Sequence, residues 1–380
     1  CMTQARAIRA LASLHTATGD PRALEVALGA MRFAEEEYTA GDGLFTNQRK
    51  PAAAPGKEWL WSVDQIHETL SAQEAALWRA HSQIVPLGNL EMEADPFREY
   101  FRLNTLRAAV PLEKAAATAG VPLAQAPALL ESGRKKLLAA REARSPRMDA
   151  WPVGTAAPSF RMVSAYSALF TATGDAAWRE KALALAKQAR EAFSREGRLI
   201  EQDVTSPTLA EARAFTYALA IQAALDLAEI TLDDLWRLWA GDLSTIVAEK
   251  FLDQDGRLQE ARPGSTPLQI PIEDRMMLFD DSTCGLMRMN IARLEALGQP
   301  PAPEMQTLVR SLPPMADYPV IFTDSILATS FARSRVIVEL PAQADETWRE
   351  AASKLPLDRI ARRIGKDSGA KIVHPDGTST

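Results

Sequence analysis

Four carboxylates and a guanidinium fall in one short stretch, Glu273-Asp274-Arg275 followed by Asp280-Asp281. Paired acids beside an arginine suit general acid and base chemistry on a sugar, with the arginine gripping a polar or anionic group in two-pronged fashion. Glu273, Asp274, Asp280 and Asp281 are therefore the candidate catalytic residues, and Arg275 is a candidate ligand-binding one. A plainer role is open to the same residues: Asp281 can cap a helix that begins near Ser282, and the other acids can sit solvated in a loop. Arg213 and Tyr217 stand four apart and on one helix would share a face, either toward a central cavity or as a surface pair. Trp59, Trp61 and Trp151 offer flat apolar faces for stacking on a sugar ring, although tryptophan in such places also builds cores. His67 and His81 have no second ligand at metal spacing, and Cys1 and Cys284 are the only cysteines. No metal site, disulfide framework or redox pair is expected, and Cys284 reads as a small buried hydrophobe. The chain has no phosphate-binding loop, dinucleotide fingerprint or nucleophile elbow, and no cofactor is expected.

The elements that must position these residues are announced by a repeat. Leu14-His15-Thr16-Ala17-Thr18-Gly19-Asp20 returns as Leu169-Phe170-Thr171-Ala172-Thr173-Gly174-Asp175. Each copy follows one apolar helical run and precedes another, and each is closed by a turn, Asp42-Gly43-Leu44 or Glu196-Gly197-Arg198-Leu199. The pattern predicts helix, tight turn, helix: the glycine takes positive φ and the aspartate caps the returning helix. A weaker third copy runs from Ile221 through Thr231-Leu232-Asp233 to Phe251 and ends at Asp255-Gly256-Arg257-Leu258. A fourth begins near Met289 and turns at Gly298. Recurring hairpins close into an α/α toroid or stack into a solenoid.

Between the hairpins, Ser62-Val63-Asp64-Gln65 forms a capping box, predicting a helix from Val63 through Leu70 and another over Gln73 to Ser82. Further helices are expected over Leu112 to Ala119 and Leu123 to Ala143. Pro263, Pro267 and Pro271 make Arg262 to Phe279 a loop, expected to fold over one mouth of the toroid and deliver Glu273, Asp274 and Arg275 toward Asp280. Near the end the pattern changes: Arg335 to Leu340 and Ala370 to Val373 read as strands, Thr347 to Ala352 and Leu357 to Ile364 as helices. The expected domains are a toroid over 1–334 and a small strand-helix-strand segment over 335–380.

With 47% apolar and 24% charged residues among 380, the composition is that of an ordinary globular protein. A net charge of −6 leaves no basic excess for nucleic acid or an anionic membrane. Neither a membrane-spanning run nor a signal peptide is visible, so a cytoplasmic location is expected over export. The opening Cys1-Met2-Thr3-Gln4-Ala5 already lies in helical period with Ile8, Leu11 and Leu14, as in a chain cut from something longer.

Taken in order, Trp61-Ser62-Val63-Asp64-Gln65-Ile66, Gly88-Asn89-Leu90-Glu91, Asn104-Thr105-Leu106, Lys136-Leu137-Leu138 and Arg141-Glu142-Ala143-Arg144 with Pro146 resemble the thioredoxin-like spermatogenesis-associated proteins and their bacterial relatives. The resemblance extends over most of the chain. It implies a mainly α fold, an (α/α)6 toroid of helical hairpins like that of six-hairpin glycosidases and N-acylglucosamine 2-epimerase, with a small α/β C-terminal segment. It starts inside a toroid helix, so the thioredoxin-like domain that precedes the toroid in the family is expected to lie outside this chain. The acidic motifs of the family are thinned. Its Asp-Ala-Asp-Ser run is replaced by Phe45-Thr46-Asn47-Gln48-Arg49-Lys50, and its Asp-Asp-Tyr-Ala by Phe215-Thr216-Tyr217-Ala218. Its Asp-Lys and Trp-Asn-Gly are reduced to Asp149 and a displaced Trp151, which with Trp59, Arg213, Tyr217 and Arg275 complete the candidate ligand-binding residues. Its Asp-x-Ala-x-Pro-Ser-Gly-Asn-Ser corresponds to Asp280-Asp281-Ser282-Thr283-Cys284-Gly285. Two classes of function follow. One is a diverged, noncatalytic or weakly active carbohydrate-type binding or scaffold module of a thioredoxin-domain-containing protein. The other is an enzyme similar to sugar epimerases, isomerases or glycosidases, using carboxylates in the toroid cavity.

Overall fold

The structure, a computed structural model, describes residues 1–47, 56–144, 152–202, 211–262, 272–278, 280–310, 313–367 and 369–380. In chain order its helices are α1 (Met2–Thr18), α2 (Pro21–Tyr38), α3 (Val63–Thr69), α4 (Ala72–Ser82), α5 (Leu112–Ala119), α6 (Ala126–Arg144), α7 (Ala156–Thr173), α8 (Ala176–Phe193), α9 (Ala214–Thr231), α10 (Asp234–Phe251), α11 (Thr283–Ala296), α12 (Gln306–Arg310), α13 (Thr323–Ser334) and α14 (Glu346–Ser353). The strands are β1 (Ser194–Arg195), β2 (Arg198–Leu199), β3 (Val336–Leu340), β4 (Ile360–Ile364) and β5 (Lys371–Val373). The fold is mainly α, built largely of helical hairpins, with few strands. The chain divides into two compact units, Cys1–Arg49 with Ala150–Thr380, and Lys50–Asp149.

In the first unit the repeat forms hairpins by one local mechanism used three times. Gly19 (φ 73°) and Gly174 (φ 70°) end α1 and α7 in the left-handed region, and Leu232 (φ 54°) does the same for α9 without glycine's freedom. Asp20, Asp175 and Asp233 then accept from the amides of Arg22, Ala177 and Leu235 at 2.9, 3.0 and 2.9 Å, capping the return helices. The first helix of each pair forms an inner row: α1 packs on α7, α7 on α9 and α9 on α11, backed by α2, α8, α10 and α13. Such inner helices are enclosed by neighbours, and every residue of α9 from Thr216 to Ile230 is buried. After Gly298 (φ 75°) the fourth hairpin does not turn back at once; its partner helix is α13, beyond the short α12.

The C-terminal segment corrects one expectation. Leu357 to Ile364 is not a helix: Asp358 takes φ 62° and Ile360–Ile364 becomes β4, paired in parallel with β3 so that Val336 lies beside Ile360. The order in the sheet is β4-β3-β5, with β5 antiparallel to β3. Ala-Arg-Arg favours helix locally, but flanking isoleucines and a strand edge to pair with decide otherwise, since strand preference is largely tertiary.

The second unit is stitched by two capping boxes, Ser62 with Gln65 and Ser71 with Glu74. Burial alone would lift the Glu74 carboxyl, but hydrogen bonds from Lys136, Ser132 and Ser71 outweigh it and hold its pKa at about 2. Trp59 lies under the Arg141 guanidinium, 4.4 Å from ring centre, and Trp61 under Arg144 at 4.3 Å.

Candidate functional site

Within the first unit, a cavity of about 570 Å³ lies among α1, α11, α13 and the chain around Asp358. Its polar lining includes Arg6, Arg161, Gln222, Asp281 and Asp324; Met289, Leu327 and Phe331 are among its apolar walls. The volume falls in the range of small-molecule sites. One face of α13 supplies Thr323, Leu327, Ser330 and Ser334, spaced as a helix requires.

Asp280 and Asp281 meet at the guanidinium of Arg161, whose Nη2 lies 2.5 Å from Asp280 Oδ1 and 2.8 Å from Asp281 Oδ2. Arg6 approaches from α1, with Nη2 3.0 Å from Asp281 Oδ1. Arg161 is 2% exposed yet borders the cavity, and its Nη1 also reaches Gln222 Oε1 at 3.4 Å. The helix cap is Ser282, whose Oγ accepts from the Gly285 amide at 3.0 Å, so Asp281 is free of that duty. Asp324 sits over this helix start: its Oδ2 accepts from the Ser282 amide and hydroxyl at 2.7 and 2.6 Å. A Cβ at position 285 would lie 2.2 Å from the Asp324 carboxylate, which is why glycine stands there.

The remaining candidates lie elsewhere. Asp274 Oδ2 accepts from the Thr283 amide at 3.0 Å, a structural contact at the start of α11; burial pushes its carboxyl up, helped by Asp324 and Asp280, despite the Thr283 bonds. Glu273 lies 3.7 Å from Arg275 and 3.8 Å from Arg257, and neither Glu273 nor Arg275 lines the cavity. Arg213 precedes α9 as its N-cap and is exposed, so it shares no helix face with Tyr217. Tyr217 is buried against Phe251, with ring centres 5.3 Å apart, and its hydroxyl accepts from the Leu199 amide at 2.9 Å; burial raises its pKa. Trp59 belongs to the second unit and stacks on Arg141. Asp149, Trp151 and the prolines of the expected lid lie outside the described residues. Cys284 is buried, and burial pushes its thiol up to about 12.

Sequence reading passed over several charged groups. Arg293 Nη1 lies 2.8 Å from Asp226, and its Nη2 lies 2.8 Å from Glu229; Arg362 reaches Glu229 at 3.0 Å. Arg9 bridges Asp226 and Asp358, both at 2.6 Å. Burial works against the charged Arg293, yet Glu229, Asp226 and Asp358 outweigh it and hold its pKa above the usual value. Burial would likewise lift the Asp358 carboxyl, but Arg9 and Arg293 hold it below the usual range. A signal for this network exists in the sequence: Gln222, Asp226 and Glu229 recur at helical spacing in the otherwise apolar α9, and Arg161 interrupts the apolar α7.

An asparagine and two glutamates also tie the inner helices at their N-termini. Asn47, Glu201 and Glu260 each stand four residues after a turn glycine (Gly43, Gly197, Gly256). Asn47 Oδ1 accepts from the Met2 amide at 3.0 Å, Glu201 Oε1 from Ala157 at 3.3 Å, and the Glu260 carbonyl from Ala214 at 3.1 Å. Burial pushes the carboxyls of Glu201 and Glu260 up, against hydrogen bonds and the charge of Arg213.

Among the described residues no cluster of His, Cys, Asp and Glu has the make-up of a metal site, and no helix is long and apolar enough to cross a membrane. No protein-family model matches the chain. Spermatogenesis-associated protein 20 of Homo sapiens is 26% identical over 271 residues, covering 63% of this chain and 34% of that protein. Its Mus musculus counterpart is 26% identical over 313 residues, covering 73% and 39%. The chain thus spans little more than a third of the length of the curated relatives it matches. Among solved structures, a D-mannose isomerase aligns over 86% of this chain and 74% of its own at 12% identity and a TM-score of 0.37. Cellobiose 2-epimerase from Spirochaeta thermophila aligns over 81% and 71% at 16% identity and 0.36. Overlaps this loose carry no argument about chemistry. In sequence, this chain is similar to spermatogenesis-associated protein 20, in agreement with the order of its motifs.

Proposed function

We propose that the chain is a diverged binding module whose cavity takes a small polyhydroxylated, carbohydrate-type ligand without transforming it. The observation that carries this reading is the way Asp280 and Asp281 share one guanidinium nitrogen of Arg161. Acids that cleave or protonate a glycosidic bond flank it from two sides. Two neighbouring acids clamped to one cation cannot do so while the clamp holds. Asp324 is equally committed, with Oδ2 on Ser282 and Oδ1 accepting from the Ser325 amide at 2.6 Å. The lining still suits binding: every sugar hydroxyl both donates and accepts, and the wall alternates guanidinium donors, carboxylate acceptors and a Gln222 amide beside apolar faces. In a longer protein, the module accompanies a thioredoxin-like domain, as the family resemblance implies.

The test is to titrate mono- and disaccharides into the protein by calorimetry and to follow the same mixtures by NMR. Binding without new sugar signals supports the module. Appearance of an epimer, isomer or hydrolysis product would establish the enzyme reading instead.

A further inference from the structure

Two arginines in the cavity differ from the others. Arg6, Arg9 and Arg161 each meet a carboxylate at 3.0 Å or less. Arg335 and Arg359 also line the cavity, and among the described residues neither has a carboxylate partner. Arg335 Nη1 donates to the Ala332 carbonyl at 2.6 Å, while its buried Nε has no partner among the described residues. Arg359 is exposed.

The fold sets them side by side. β3 and β4 run parallel with Val336 beside Ile360, so the residues that precede them, Arg335 and Arg359, occupy adjacent places at the entrance to the two strands. Neighbouring strands lie about 4.8 Å apart. Like charges in facing positions oppose folding unless something compensates. The acid next in sequence does not: Asp358, turned through φ 62°, directs its carboxylate to Arg9 at 2.6 Å and Arg293 at 3.5 Å. The pair therefore presents uncompensated guanidinium donors to the cavity, the arrangement that binds phosphate or carboxylate oxygens.

We infer that Arg335 and Arg359 form a subsite for an anionic group of the cavity's ligand, which makes that ligand an acidic sugar, either a sugar phosphate or a uronic acid. The ligand class rests on the carbohydrate reading above; the anion subsite rests on the arginine pair alone.

Calorimetry on the full chain tests both, using hexoses of the gluco, manno and galacto series, their 6-phosphates, the corresponding uronates, and inorganic phosphate. One acidic form should bind at least tenfold more tightly than its neutral hexose, and whether it is the phosphate or the uronate identifies the anion. Added salt should shrink the preference, and Arg335→Gln with Arg359→Gln should abolish it. Arg359→Gln alone, at an exposed residue with no partner among the described residues, should reduce the preference several-fold without lowering the unfolding temperature, which keeps the test independent of any folding defect at Arg335. Equal binding of neutral and acidic sugars overturns the subsite and leaves the carbohydrate reading standing. Inorganic phosphate binding as tightly as every sugar phosphate overturns the acidic-sugar assignment while confirming the anion site. Absence of binding by any of these probes overturns both.

Discussion

Two sets of arginine-carboxylate pairs lie in the first unit, one lining the cavity through Arg6, Arg161 and Asp281 and the other reaching it only through Arg9 and Asp358, and they differ in their access to water. Arg293, Asp226, Glu229 and Arg362 are 0–1% exposed in their side chains, whereas Arg6 is 33%, Asp280 27% and Asp281 16% exposed. Both sets balance charge locally. In the buried set each ion has left water and depends on its partners, so the arrangement joins α1, α9, α11 and β4 at the expense of strong penalties if one member is lost. In the open set, hydration and a ligand can stand in for a lost partner, so the same chemistry is available for recognition. Identical residue types thus divide into a sealed set and one whose Arg6, Asp280 and Asp281 keep access to water in front of the buried Arg161.

The largest effect separates the two sets directly. Arg293→Met takes one of two cations from each of Asp226 and Glu229 in the core, leaving them Arg9 and Arg362, and should lower stability by about 3–5 kcal/mol in chemical denaturation. A loss under about 1 kcal/mol would erase the distinction. Next, Gly285→Ala drives a methyl into the Asp324 carboxylate; about 1–3 kcal/mol of destabilisation is expected, as for other overpacked sites, together with weakened ligand binding. Asp281→Asn in the open set should cost no more than about 1 kcal/mol in folding, since Arg161 keeps Asp280 as its partner and the pair with Arg6 is partly hydrated, while sugar affinity falls about tenfold by calorimetry.

A smaller, pH-dependent difference belongs to Glu260. Burial raises its folded pKa above the unfolded value, so the native state holds a proton that the unfolded chain has released, and native stability falls as pH climbs through that window. Glu260→Gln should therefore be more stable than the parent at neutral pH and no more stable below the unfolded pKa, as read from thermal unfolding across pH. Glu74 has the opposite sign: with its pKa held at about 2, it stabilises above the unfolded value and loses that contribution as pH drops toward 2. Smallest of all, Arg275→Ala should change stability by less than about 0.5 kcal/mol and leave binding unaltered, because its one ion pair among the described residues, to Glu273 at 3.7 Å, is solvated and outside the cavity.

The hairpins were legible because Thr-Gly-Asp and Thr-Leu-Asp encode a left-handed stop and a cap within three residues, a local device independent of distant contacts. Adjacent Asp280 and Asp281 were legible as a polar cluster for the same reason. Their partners were not: Arg6 and Arg161 lie far away in sequence, and a lone arginine on an apolar helix looks alike whether it pairs inside or points to solvent. Tyr217 failed as a cavity residue because its hydroxyl found the Leu199 amide instead. Arg359 lies in a stretch, Leu357 to Ile364, whose local pattern predicts a helix; only the pairing with β3 brings it beside Arg335.

The most direct test of the division between the two sets is to measure sugar affinity and unfolding temperature together for the parent protein, Asp281→Asn and Arg293→Met. The account predicts that the parent binds, that Asp281→Asn loses affinity with an unfolding temperature close to the parent's, and that Arg293→Met loses stability first. If Asp281→Asn instead unfolds as early as Arg293→Met, or binds sugar as tightly as the parent, the open cluster is structural and the cavity is not the ligand site.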